Sequence, residues 1–319
     1  MNKKKLYLNI IFQITMIVIV SVFFITNQLE FSKLNFLLSS NIVNLFILIF
    51  FLKFFISCLF FFIVNIISEK KGHFFEITNT FLQGGLVNML IPGMGLIFKY
   101  YKFKINSNIN LAEYSVSQSI SSLSSLLSFG ILAILFGFVQ IVIINTTNLI
   151  IFSVMVFTLI FLLYYNKNNI YFFLKKNLLK IKRINNLYLE LQSIKKIILD
   201  YKLNFLYIFI GFIILSILQC FAFYKALDIF GYDLDFFSSS FIYISSSLLA
   251  VLSMINVIGF FELALSISAS FITENYIDMI IVGLGFRILN TSALIMVIIV
   301  NSIINLILHY KRKKSERLF

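Results

Sequence analysis

Apolar residues run in long blocks along this chain, and polar residues collect in the intervals between them. Seven blocks are long enough to cross a hydrocarbon core: Leu6–Ile25, Ile42–Ile67, Leu111–Phe138, Ile141–Tyr165, Leu203–Leu227, Phe236–Val257 and Ile277–His309. A helix crosses with roughly 20 residues, and the longer blocks allow tilt. A single proline in the whole chain leaves few helix breakers and few of the turn signals of an all-β protein. The expectation is an all-α polytopic membrane protein with about 6–8 transmembrane helices. Some of these would be re-entrant or broken, and two inverted pseudo-repeats would fit the layout.

One apolar segment breaks the pattern. Thr78–Lys99 holds the only proline, Pro92, and four of the twelve glycines, Gly84, Gly85, Gly93 and Gly95. Cationic clusters flank it on both sides (Lys70–Lys71, and Lys99 with Lys102 and Lys104). A segment that starts and ends on the same side is predicted to dip in and return. The Pro92-Gly93 step interrupts the helical ladder, which at membrane depth is tolerated only inside protein or beside a wet cavity. Broken helices of this kind form substrate sites in transporters. The plainer reading is a kinked span.

Composition agrees with the membrane assignment: 60% of residues are apolar, 12% are charged, and the mean hydropathy is +0.99. A soluble domain carries about a quarter charged residues. The net charge of +13 is unevenly placed. Cations gather at Lys3–Lys5, Lys70–Lys71, Lys99–Lys104, through Lys167–Lys202 and in the tail from Lys311 to Arg317; the segments Asp228–Asp235 and Thr273–Asp278 carry acids and no cation. Positive residues stay on the cytoplasmic side, so both termini are expected there, in a plasma (inner) membrane. This asymmetry accounts for the basic charge without nucleic acid as a partner. The positive start at Lys3–Lys5 could belong to a signal peptide, but no small-x-small cleavage site follows, so an uncleaved first helix is expected.

Residues 166–202 form the only sizeable polar insert. Nine Lys or Arg against Glu190 and Asp200 give it a net charge of +7. Phe173, Leu174, Leu178, Ile181, Ile184, Leu191, Ile194 and Ile198 recur at mostly helical intervals, a pattern suited to a basic amphipathic segment on an anionic leaflet. An ordinary basic connector is the simpler alternative. The chain then divides into a first membrane half (1–165, with the Gly/Pro segment 78–99), this loop (166–202), a second membrane half (203–309) and a basic tail (310–319).

Polar residues inside the spans mark candidate sites. Eight serines and Gln118 fall between Ser115 and Ser128, with Ser117, Ser121, Ser124 and Ser128 within about 60° on a helix. They suit either close helix packing or a cavity wall. In the last span Gly283, Arg287, Asn290, Thr291, Asn301 and Asn305 share an arc of about 100°, which should face the bundle interior. An intramembrane Arg is costly unless paired or hydrated, and Glu262 is the nearest intramembrane acid in sequence; an Arg287–Glu262 pair is predicted. Lys53 sits deep in its span and is a weaker cavity candidate. Cys58 and Cys220 lie in apolar runs, and His73 and His309 are far apart, so neither a disulfide nor a metal site is expected. No nucleophile–base pair or nucleotide-binding domain is evident, and no cofactor or catalytic residue is assigned.

At these residues a resemblance appears. Asn88-x3-Pro92-Gly93-x-Gly95-x3-Lys99, followed by a serine-rich helix, resembles the first motif of the flippase-like lysylphosphatidylglycerol synthase transmembrane family. Gly259-Phe260-Phe261-Glu262 and then Arg287-Ile288-Leu289 resemble the end of its second motif. The stretch Phe98–Lys104 is similar to members found with surface-polysaccharide biosynthesis. Leu96 stands where that family usually has Glu, Ile255-Asn256-Val257 replaces a Pro-Gly-Gly, and Gln118-Ser119 lies near the place of a Glu-Arg pair.

The resemblance implies a flippase-like protein that translocates or handles a phospholipid or lipid-linked sugar in cell-envelope or surface-polysaccharide biosynthesis. No soluble synthase domain is expected, so aminoacyl transfer is not implied. The implied substrate-binding residues are Asn88, Pro92, Gly93, Gly95, Lys99, Glu262, Arg287 and Asn290. The implied partners are membrane lipids or lipid-linked sugars. The alternative class is a non-catalytic membrane subunit or scaffold of a glycosyltransferase or lipid-modifying complex.

Overall fold

In the computed structural model, residues 41–68, 73–90, 93–144, 201–252, 260–270, 272–273 and 278–316 are described. The expected spans Leu6–Ile25 and most of Ile141–Tyr165, the loop 166–202 up to its last residues, and Pro92 lie outside them. The described residues contain eight α-helices and no strand: α1 Asn41–Ile67, α2 Phe74–Leu90, α3 Met94–Asn106, α4 Leu111–Ile144, α5 Lys202–Ile229, α6 Phe236–Leu252, α7 Phe260–Ala269 and α8 Met279–Glu316. Four of these, α1, α4, α5 and α8, are long and apolar enough to cross a membrane.

Two expected boundaries move. The break between Phe138 and Ile141 is absent, because α4 runs unbroken to Ile144; no Gly or Pro lies between Phe138 and Ile144 to stop it. The last helix continues past His309 to Glu316, since Lys, Arg and Glu are good helix formers and nothing there breaks the ladder. Elsewhere local chemistry sets the ends. Asn110 and Glu113 form a reciprocal capping box at α4, Glu113 N–H donating to Asn110 Oδ1 at 2.8 Å and Asn110 N–H to Glu113 Oε2 at 2.9 Å. Asp235 caps α6 by accepting from the N–H groups of Phe237 and Ser238.

The long helices run in both directions. α1 lies antiparallel to α5: Leu59 packs where Gly211 leaves room, and at the other end Asn41 and Asn44 line one cavity with Lys225 and Asp228. α4 and α5 run parallel, joined by a 2.8 Å hydrogen bond between the Ser128 and Ser216 hydroxyls. α6 runs antiparallel to α4, with Phe129 against Tyr243 and Phe136 against Phe236. An aromatic cluster of Phe223, Tyr243 and Phe286 ties α5, α6 and α8 together in the main core. Large apolar side chains such as Leu206, Tyr207, Ile210 and Ile214 on α5, and Ile295, Ile299 and Ile303 on α8, are exposed. Faces of that size suit lipid contact and would be a liability in water.

Ser117, Ser121 and Ser128 are buried. On α4 these small residues serve helix packing, as the Ser128–Ser216 bond illustrates.

Candidate functional site

α2 and α3 form a tight antiparallel hairpin. At its tip Gly93 adopts φ +80°, a left-handed conformation that favours glycine, and its N–H donates to Asn88 Oδ1 at 2.8 Å. Lower down, the arms nearly touch. A Cβ built on Gly95 would lie 2.2 Å from the Gly84 carbonyl oxygen and 2.5 Å from Asn88 Cβ. The glycines the sequence singled out therefore let the two arms close.

Lys99 crosses the arm at Gly84, where any Cβ would collide with its aliphatic stem. The side chain is buried at 8% exposure. Its Nζ sits 4.4 Å from the centre of the Phe81 ring and donates to Gln118 Oε1 on α4 at 3.4 Å. No carboxylate pairs with it among the described residues. Phe81 in turn stacks on Phe60, which also meets Phe103.

α8 is the spine on which the polar elements converge. Over its later turns α2 lies antiparallel to it: Asn301 donates to Thr78 Oγ1 at 3.4 Å, Asn79 to Ser302 Oγ at 3.0 Å, and Leu82 packs on Leu294 and Val297. Near the hairpin tip the Thr291 hydroxyl reaches Met89 Sδ at 3.8 Å. Over its first turns α7 lies antiparallel to it. Leu265 and Glu262 pack on Gly283, where a Cβ would come within 2.8 Å of the former and 3.1 Å of the latter. One turn on, Arg287 Nε meets Glu262 Oε1 at 2.8 Å. Glu262 is fully buried and Arg287 is 21% exposed.

Together α2 and α7 thus line α8 end to end, the C-terminus of α2 facing the N-terminus of α7 at residues 287–291. With 17 and 10 residues they measure about 25 and 15 Å, each short of the roughly 30 Å hydrocarbon thickness. Half-helices that meet this way concentrate unsatisfied backbone ends and charged side chains at one depth.

No family model matches the chain, and no curated protein or solved structure matches it.

Glu262 and Arg287 come together as the sequence anticipated. Asn88, Gly93, Gly95 and Lys99 share the hairpin. Asn290 uses its amide on its own helix, donating to the Phe286 carbonyl at 2.9 Å. Lys53 is partly buried, and no hydrogen bond or ion pair engages it among the described residues. Sequence reasoning missed the clasp of Thr78 and Asn79 on Asn301 and Ser302. It flagged Gln118 with the serine-rich face of its helix but did not foresee its contact with Lys99. Phe81 carried no signal, being one of forty phenylalanines.

Among the described residues no group of three His, Cys, Asp or Glu side chains could hold a metal ion.

Proposed function

We propose that this chain is a multi-pass protein of the plasma membrane that handles an anionic amphiphile, a phospholipid or a lipid-linked sugar, in the manner of a flippase. The observation that carries the reading is the meeting of α2 and α7 on α8 beside the buried Glu262–Arg287 pair. In this reading the basic ends of the helices lie in the cytoplasm, as the distribution of Lys and Arg requires. The hairpin α2–α3 then enters from the cytoplasmic face, and α6–α7 enters from the opposite face. Two inserts of opposite direction that stop at one depth give the inverted arrangement on which alternating access depends.

The charge inventory favours an anionic cargo. Lys53, Lys99 and Arg287 lie within apolar helices or the hairpin, Glu262 neutralises Arg287, and the acids Glu76 and Glu113 are confined to the first turns of α2 and α4. That leaves an excess of buried positive charge that a phosphate would complement. Translocation of a fluorescent phospholipid in proteoliposomes tests the proposal. Wild type should exceed the protein-free rate, and Arg287→Ala should fall towards it. Wild type indistinguishable from protein-free vesicles would remove the flippase reading.

A further inference from the structure

Away from their terminal turns, the exposed positions of α1 and α5 are apolar, as lipid contact requires. α4 departs from this over one segment. Its later exposed positions are Leu123, Leu127, Ile131 and Leu135, but Ser115, Ser119 and Ser122 are exposed at spacings of four and three, with Gln118 beside them. This polar strip begins four residues into the helix and is about 10 Å long. The buried serines donate to carbonyls of their own helix, Ser117 to Glu113 and Ser128 to Ser125. The Ser115 and Ser119 hydroxyls make no hydrogen bond among the described residues. In hydrocarbon such groups are unfavourable without a polar neighbour.

The strip runs along the seam between α3 and α4. At its base that seam is held by Tyr114, whose ring meets Tyr100 and Phe103 and whose Oη donates to the Leu96 carbonyl at 3.1 Å, and further along by the Lys99–Gln118 contact at 3.4 Å. Gln118 also donates to Ser122 at 3.2 Å. The strip therefore connects through Gln118 to Lys99, a charge with no carboxylate among the described residues. The Gln118 amide oxygen stands where an anionic oxygen could take the ammonium proton donors.

We propose that Ser115, Gln118, Ser119 and Ser122 form a membrane-facing furrow for the head group of an anionic phospholipid of the cytoplasmic leaflet, its phosphate held by Lys99. The acyl chains would lie along the exposed apolar residues Leu123 and Leu127 of α4 and Leu96 and Ile97 of α3. This deepens the lipid-handling reading above by naming where the lipid docks and what charge it carries, and it rests on that reading.

The test uses the full chain with Cys58 and Cys220 replaced, in phosphatidylcholine nanodiscs. Ser119→Cys should react with a membrane-impermeant maleimide, and Leu127→Cys should not. Added phosphatidylglycerol should slow the Ser119→Cys reaction by about tenfold, the factor worth roughly 1.4 kcal/mol. Lys99→Gln should abolish that protection and Lys99→Arg should keep it. Soluble glycerol phosphate should not protect; protection by it to the same degree would overturn the lipid assignment in favour of a free-phosphate site. An unreactive Ser119→Cys, or labelling indifferent to phosphatidylglycerol, would also overturn the furrow. Translocation measured on the same protein separates the two ideas. Protection without translocation keeps the furrow and removes the flippase reading, and translocation without protection does the reverse.

Discussion

Arg287 and Glu262 meet at 2.8 Å between α8 and α7, with Gly283 one turn earlier giving the two helices room to approach. The pair sits where α7 begins and close to where α2 ends. It therefore neutralises a buried acid and also fixes the junction of two half-helices. Removing one partner leaves the other charge in apolar surroundings, whereas removing both leaves only lost packing.

That asymmetry gives the first prediction. Arg287→Met alone should destabilise the protein towards the lower end of the roughly 3–5 kcal/mol that breaking a buried pair costs, because Arg287 is partly exposed. The double change Glu262→Met with Arg287→Met should recover most of that loss. Thermal unfolding in detergent measures both. A double variant that is stable yet inactive in lipid translocation would assign the pair a role in transport as well as in structure.

The glycines of the hairpin should respond in opposite directions. Gly95→Ala places a methyl 2.2 Å from the Gly84 carbonyl oxygen, so the arms must separate. Overpacking of this kind costs about 1–3 kcal/mol. Gly85→Ala, on α2, meets no neighbouring element within 4 Å, and should stabilise that helix by about 0.5–1 kcal/mol. The midpoints of thermal unfolding should move down for the first and up for the second.

The α6 cap sets a pH dependence at the acidic end of the bundle. Burial alone would raise the Asp235 carboxyl, but hydrogen bonds from the Ser238 hydroxyl and the Ser238 and Phe237 N–H groups outweigh it and hold it below its ordinary value. A folded-state value below the unfolded one contributes stability that is present above the unfolded value, about 3.9, and lost as pH falls through the folded one. Stability measured from pH 7 down to pH 3 should show this loss below about pH 4. Asp235→Asn keeps an acceptor for the cap and should remove Asp235's share of the acid slope.

The parts of this architecture that a single sequence reveals are those where composition and chemistry coincide locally. Apolar blocks gave the four long spans, because a helix in lipid satisfies its own backbone and needs only apolar side chains. The Gly/Pro segment marked the hairpin, and Arg287 marked its need for Glu262, since an unpaired cation at that depth is too costly to leave. Positions that depend on which helices become neighbours were not visible. Thr78 and Asn79 look like ordinary helix residues until Asn301 and Ser302 are brought against them from 223 residues away. The unbroken course of α4 past Phe138 was hidden for a different reason: one long helix and two abutting shorter ones have the same apolar periodicity.

The end-to-end placement of α2 and α7 along α8 makes a last prediction. Asn79 and Ser302 are joined by a 3.0 Å hydrogen bond, so cysteines at both positions should cross-link on mild oxidation. Cysteines at Leu265 and Gly283 should be joined by a short bis-maleimide, because Leu265 Cδ1 lies 2.8 Å from a Cβ built on Gly283. Cysteines at Asn79 and Gly283 should not join, since α2 and α7 occupy opposite ends of the spine. For the 79–302 and 79–283 pairs, a protease site placed in the segment 166–202 makes linked chains stay together on a gel while unlinked ones separate. Leu265 and Gly283 lie on the same side of that segment, so for them the site is placed between Ala269 and Met279. Cross-linking between Asn79→Cys and Gly283→Cys would mean that α2 extends along the whole of α8, and the half-helix junction at Arg287 would then be lost. If that pair stays apart while the other two join, the junction holds, and with it the polar break that the lipid-handling proposal needs.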